Sequence, residues 1–599
     1  VTLYRYDALN RLTNIEYADS RKVSVRYNAA GNPESIVERN GSDVKVNITQ
    51  EFDELDRLRV INNNTLNRKI SYLYTPNGNR KEMTVAKLDG PNPDPNARTT
   101  IYDYNHRTDP WMTIHPPGLA TPIRYDFRPD GTRKSASLPN GVTVNYEFDD
   151  FVRLERMEYG GAAGLHQFRF VYDNAGNRRK MFDGEGETSY DYDDIDRLIA
   201  ATYPDGTSES FRYDANSNRT QHVNALGTTD YEYDAVGERL LKLKRNGETI
   251  VEYFYDAAGN LIMKNDASLG QTYFDYNASN QLVRVQTPDN GTQEYAYYPA
   301  SDLRFSVRKG ADPAEYFLYD AGNCVEEIDE SGNTTANYIE AGGLDNHVAR
   351  VGDDGRVYAY VVDPLGTIRQ VVDDGGQVVN SYNYTAYGEK RYSTANTQNP
   401  YQFTGRRFDE ETGLHYFRAR FYDAKIGRFL AVDRQAPGEH TYGYANANPL
   451  RYNDPTGECP FGFIYGLLVK ALPALPYLKA TAAALGAYLL VRQATKAAHV
   501  SKVAKKPGNK LEVVPMQDGT ILLIAMKENE KLKMLDNRLW GGNIEEVAGF
   551  HASIIMLPNA IGQGNISVLG QKTSKLQTLT THAPGRHVSG ASFAKYSLR

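Results

Sequence analysis

Cysteine is nearly absent from this sequence of 599 residues. Cys324 and Cys459 are the whole supply, which excludes a disulfide scaffold and a Cys-rich structural zinc site. Tryptophan is as scarce, at 2 residues. A long apolar run is missing from the stretch 461–491 as well: Lys470, Pro473, Pro476 and Lys479 interrupt it, and its longest uncharged part, 480–491, has 12 residues, short of the ~18–20 that span a bilayer. No charged-then-apolar leader is present, and the chain opens at Val1 already inside a repeat, so it is expected to be a fragment. Residues 459–599 hold no zinc-ligand spacing, Walker loop, Gly-x-Ser-x-Gly elbow or His-Glu-x-x-His, and neither metal nor cofactor is expected.

What abounds is tyrosine, with 44 residues against 21 Phe, together with 50 Gly. Tyr suits a half-buried pleated face and Gly supplies the positive φ of tight turns, so the composition points to twisted strands. Charge is divided unevenly behind a net −7. Residues 459–599 carry 17 basic and 7 acidic side chains, a balance of +10, against 51 and 68 in residues 1–458, a balance of −17. An acidic carrier joined near 458 to a basic passenger with a polyanionic target is the reading this favours.

An internal repeat dominates the first part. Its unit reads aromatic-x-Tyr-Asp-x-x-Gly-Asn-Arg-Leu, as in Tyr4-Arg5-Tyr6-Asp7 with Arg11-Leu12, Tyr172-Asp173 with Gly176-Asn177-Arg178, and Tyr192-Asp193 with Asp196-Arg197-Leu198. Further copies lie at Tyr213-Asp214, Tyr233-Asp234, Tyr255-Asp256 and Tyr319-Asp320, and degenerate ones at Phe52-Asp53 and Phe148-Asp149. Each unit predicts a strand ending in Tyr-Asp, a turn whose amides the Asp caps and whose left-handed position Gly or Asn takes, and a return strand. Alternation such as Thr249-Val251-Tyr253-Tyr255 places one face inward at period two. A single hairpin cannot bury its face, so neighbours must stack or spiral. A β-solenoid, a propeller or sugar-binding Tyr rows would use the same pattern.

These units resemble the RHS/YD-repeat family of bacterial RHS effectors, insecticidal toxin complex C components and teneurins. The resemblance implies a mostly β fold over 1–362: hairpins spiralling as one sheet into a hollow shell. A denser signature fills 363–458: Asp363-Pro364-Leu365-Gly366, Tyr401-Gln402-Phe403-Thr404-Gly405, Arg418-Ala419-Arg420-Phe421-Tyr422-Asp423, Gly427-Arg428-Phe429, Asp433 and Asn453-Asp454-Pro455-Thr456-Gly457. It is similar to the RHS-associated core module, which implies a plug that often acts as an intramolecular aspartyl protease. The family's two Asp-Pro-x-Gly boxes fall on Asp433 and Asp454, and the resemblance implies cleavage at Glu458–Cys459. Three positions depart from the pattern. Arg434 stands where the first box has Pro, Phe421 stands beside Arg420 where a toxin-complex Asp would be, with Asp423 the nearest carboxylate, and Glu458 stands where Leu usually follows. Asp433 and Asp454 also fit a plainer role as turn formers.

The remainder is expected to be cargo: a mostly helical 459–510, apolar and then basic, and an α+β domain over 511–599. The stretch 461–491 could pack as cargo helices or act on a membrane. Lys502, Lys505 and Lys506 follow in a region without acidic residues from Cys459 to Lys510, which suits phosphate binding. Lys510 to Met526 predicts two strands around Asp518-Gly519. His551, His582 and His587 with Arg586 are candidates for His-based acid–base cleavage of a phosphodiester, and Ser589 and Ser592 lie close by in sequence. Three functions compete: a self-cleaving polymorphic toxin delivered into target cells with a nucleic-acid-directed cargo, a pore-forming cargo, and a non-enzymatic adhesion or wall protein. The toxin reading implies a cognate immunity protein, a secretion apparatus and a spike or adaptor as partners. The charge break disfavours the adhesion reading, since a structural tail needs no change of sign.

Overall fold

The computed structural model describes residues 2–458 apart from 90–93, 106–110, 120, 237, 290 and 435–440, together with 509–515, 521–527 and 553–557. The chain divides into two units, Val1–Pro476 and Tyr477–Arg599.

In the first unit one antiparallel sheet of 36 strands runs from β1 (Leu3–Tyr6) to β36 (Lys390–Ala395), each strand pairing with the next in sequence. That single consecutive ladder excludes separate propeller blades. Period-two burial is plain in the strand Gln167–Tyr172, where Phe168 and Phe170 are buried between exposed neighbours. The spiral shows in contacts between distant strands. Arg21 reaches Ser279 (3.3 Å), Arg68 pairs with Glu326 (3.1 Å), Asn140 donates to the Val357 carbonyl (2.8 Å), and Arg369 pairs with Asp183 (2.8 Å). Sequence separations across these contacts run from 258 down to 186 residues, so the strip winds back upon itself.

The repeat chemistry explains the hairpins. Asp193 Oδ1 accepts from the amides of Ile195 (3.1 Å) and Arg197 (2.9 Å), and its Oδ2 accepts from Arg197 Nε (2.7 Å). Asp196 takes the left-handed position at φ 68°, the role Gly176 fills at φ 87° in the preceding copy. Arg197 then lies 5.0 Å above the ring of Tyr213, the next repeat tyrosine. A β-bulge at Tyr213 turns its hydroxyl toward the Leu198 carbonyl, to which it donates at 2.7 Å. The same bond joins Tyr27 to Leu12 (2.9 Å), Tyr74 to Leu58 (2.6 Å), Tyr172 to Leu154 (2.6 Å), Tyr192 to Arg178 (2.9 Å) and Tyr233 to Arg219 (2.8 Å).

Late strands such as Asn323–Ile328 and Ile368–Val372 are buried on both faces, because residues 401–458 pack against them. That segment carries a second sheet: β37 (Arg407–Asp409), β38 (Leu414–Phe417), β39 (Arg420–Asp423) and β40 (Arg428–Phe429). Its aromatic core joins Phe417, Tyr422, Phe429 and Tyr444, with ring centroids between 4.6 and 5.9 Å apart. It docks on the repeat turns. Asn448 donates to Asn177 Oδ1 (3.0 Å) and the Asp196 carbonyl (2.7 Å), Arg428 to Asn218 Oδ1 (3.1 Å), and Tyr442 to the Gly259 carbonyl (2.6 Å).

In the second unit β41 (Asn509–Pro515), β42 (Ile521–Lys527) and β43 (Ser553–Leu557) form an antiparallel sheet. The hairpin expected around Asp518-Gly519 is present as the β41–β42 pair, from Asn509↔Lys527 to Pro515↔Ile521. The helical reading of 461–491 lies outside the described residues. Among the described residues no helix is long and apolar enough to cross a membrane.

Candidate self-processing site

Arg420, Asp433 and Asp454 are brought together. Arg420 opens β39 with its side chain buried, its guanidinium 3.8 Å from the Phe429 ring centroid. One nitrogen, Nη2, faces Asp433 Oδ2 at 3.2 Å and Asp454 Oδ2 at 3.3 Å, and both carboxylates are buried. Nη1 donates to the Thr441 carbonyl (3.1 Å), which also accepts from the Asp433 amide (2.9 Å). Nε donates to the Gly457 carbonyl. Burial pushes the Arg420 guanidinium below its ordinary pKa, against the opposite pull of Asp454 and Asp433.

Asp454 serves the turn and the cluster at once. Its Oδ1 accepts from the amides of Gly457 (2.9 Å) and Glu458 (3.2 Å), while Oδ2 faces Arg420. The turn-forming role is therefore real and uses a different oxygen. Gly457 sits at φ +75°, where a Cβ would overlap the Phe417 carbonyl oxygen, so only glycine brings this junction against β38 and β39. Arg418 donates to the Pro455 carbonyl and pairs with Asp345 (2.8 Å), fixing the turn from its other side.

The three departures from the family pattern have visible places. Phe421 packs on Tyr295 (5.0 Å) and Tyr416 (5.5 Å) as core. Asp423 accepts from the Lys425 amide (2.9 Å) in the turn before β40; the carboxylate partners of Arg420 are Asp433 and Asp454. Arg434 and Glu458 pair with each other at 2.8 Å. Thr441 and Arg418 as site residues, and the pairing of Arg434 with Glu458, were not legible, because they act through carbonyls or through contacts across the fold. Among the described residues no group of His, Cys, Asp and Glu could hold a metal ion. Cys459, Lys502, Lys505, Lys506, His551, His582, Arg586 and His587 lie outside the described residues.

Two family models match the chain: the teneurin YD-shell over residues 130–455 and the RHS repeat over residues 6–43. Double-stranded DNA deaminase toxin A of Burkholderia cenocepacia (strain H111) is 27% identical over 57% of this chain and 26% of its own length. The tRNA3(Ser)-specific nuclease WapA of Bacillus spizizenii is 32% identical over 49% of this chain and 15% of its own. Among solved structures, a TcdB2-TccC3-TEV crystal structure aligns over 76% of this chain and 27% of that one, at 15% identity and TM-score 0.47. The chain thus spans about a quarter or less of these curated relatives. By its repeats, its consecutive ladder and a match to the teneurin YD-shell model covering more than half its length, the chain belongs to the RHS/YD-repeat family.

Proposed function

We propose that this chain is the carrier and cargo part of an RHS polymorphic toxin, in which the core module cuts the chain after Glu458 to free a cargo that acts on nucleic acid. The observation that carries it is the single Arg420 nitrogen shared by Asp433 and Asp454, beside the Gly457 carbonyl. One guanidinium and two carboxylates leave one negative charge uncompensated in a buried site, and one added proton cancels it. A cluster holding one proton can act in both directions. The unprotonated carboxyl accepts a proton as water oxygen adds to the carbonyl carbon. The protonated one gives its proton to the amide nitrogen as the C–N bond breaks.

The relatives' names support a nucleic-acid target, one being a double-stranded DNA deaminase toxin and another a tRNA-specific nuclease. The basic balance of 459–599 points the same way. Such a cargo requires a cognate immunity protein in the producing cell and a secretion apparatus with a spike or adaptor to carry it into a target cell. Purified chain should split into pieces of roughly 50 and 16 kDa, by an average residue mass of about 110 Da. Asp433→Asn and Asp454→Asn should each remain whole, as read by gel and intact mass. Cleavage persisting in both variants would sink the assignment. Depolarised membranes with intact nucleic acids in cells expressing the cargo would transfer the case to the membrane-acting reading of 461–491.

A further inference from the structure

Two positions that break the family pattern, Arg434 and Glu458, meet in space. Glu458 Oε1 lies 2.9 Å from Arg434 Nε and 2.8 Å from Nη2. The same Nη2 lies 2.6 Å from Asp302 Oδ2, and Nη1 donates to the Ser279 carbonyl at 3.3 Å. Asp302 is itself held by Gln281, whose Nε2 donates to Oδ1 at 3.0 Å. Arg434 thereby ties the last junction residue to two repeat turns of the sheet. Its backbone follows directly on Asp433, and Glu458 follows directly on Gly457, whose carbonyl accepts from Arg420.

We propose that Arg434, anchored by Asp302, is a positioning residue that seats the Glu458 side chain and so aligns the junction with Arg420, Asp433 and Asp454, so that cleavage depends on residues 434 and 458 matching as a pair. The proposal rests on the self-processing reading above. Its physical basis is charge pairing in a half-buried place: the Glu458 side chain is 15% exposed and that of Arg434 32%. Burial raises the Glu458 carboxyl above its ordinary pKa, Arg434 pulls it down, and Asp302 and Asp433 push it up. Removing Arg434 alone leaves a partly desolvated carboxylate facing two others, so the junction shifts outward or takes up a proton. Removing both members of the pair leaves no such charge.

The test follows self-cleavage of the full chain in Arg434→Leu, Arg434→Lys and the double variant Arg434→Leu/Glu458→Leu across pH. In an Asp433→Asn background, which should stay intact, it also follows amide exchange over residues 456–458. Arg434→Leu should slow cleavage at neutral pH by about tenfold, with partial recovery as Glu458 protonates on acidification. The lysine variant and the double variant should stay within about threefold of the parent. Exchange at 456–458 should quicken about tenfold with Arg434→Leu and return in the double variant. Unchanged cleavage and exchange in Arg434→Leu, or a double variant as slow as the single, overturns the proposal. A parent chain that never cleaves rejects self-processing instead, and the exchange series alone then decides whether Arg434 seats residue 458.

Discussion

A single hydroxyl distinguishes the repeat tyrosine from the phenylalanine that replaces it at Phe52 and Phe148. At Tyr192 it donates to the Arg178 carbonyl at 2.9 Å, beside a bulge that takes the residue out of the regular ladder. Tyr192→Phe keeps the ring and should cost about 1 kcal/mol in denaturant unfolding, the net worth of one such bond. Arg197→Ala should cost more, since Arg197 bonds Asp193 at 2.7 Å and covers Tyr213. A Tyr192→Phe variant as labile as Arg197→Ala would show that the ring, not the hydroxyl, was misplaced. The sequence made the Tyr-Asp turn and its capping Asp legible, because both act within a few residues. The hydroxyl bond was not legible, because it depends on a bulge that only the pairing with the previous strand creates.

At the scale of elements, alternation gave the right strand and a partly wrong face. In the strand Glu248–Tyr255, Val251 and Tyr253 are buried as expected, but Thr249 is exposed and Ile250 packs against the core. The cause is a bulge opposite Leu243/Lys244, which moves the residues before it by one position. Two kinds of titrating group then separate the elements in pH. Buried His415 in β38 is pushed down to about 3 by desolvation and then by Lys390. Its folded form is neutral, so unfolding takes up a proton below the ordinary 6.5, and the stability it adds above 6.5 declines as pH falls. The turn carboxylates Asp7, Asp53 and Asp149 are held below their ordinary 3.8, Asp7 chiefly by the Arg11 amide, and Asp53 and Asp149 by the Arg57 and Arg153 amides against desolvation. Their contribution is complete above 3.8 and is lost as pH falls through the lower folded values. Acidification should therefore loosen β37–β40 before the repeat turns, as read by amide exchange at stepped pH. His415→Phe should remove the earlier stage, and its persistence would show that another group drives it.

At the scale of the molecule, it was the resemblance to the family's core module that pointed to Arg420, Asp433 and Asp454, since each lies in a short stretch of sequence that can be matched to a family box. The contacts that tie this cluster to the sheet, such as Arg434 to Asp302 across 132 residues, are a product of the winding and carry no local signal. The charge division was legible in the same way, as a local property of the chain beyond 458. It yields a prediction for residues 459–599 as a separate fragment. With a balance of +10 and no acidic residue from Cys459 to Lys510, that fragment should bind RNA or DNA, with affinity falling steeply as salt rises. Every lysine–phosphate pairing abolished should lower the salt slope by about 0.9 on duplex DNA. Substituting Lys502, Lys505 and Lys506 together should flatten the slope and weaken binding on every sequence alike, leaving the turnover of bound substrate intact. His582→Ala or His587→Ala should do the reverse, stopping cleavage while most of the binding survives. A slope that ignores the three lysines would place the phosphate-binding surface elsewhere in the fragment, and binding indifferent to salt would reject a polyanionic target altogether.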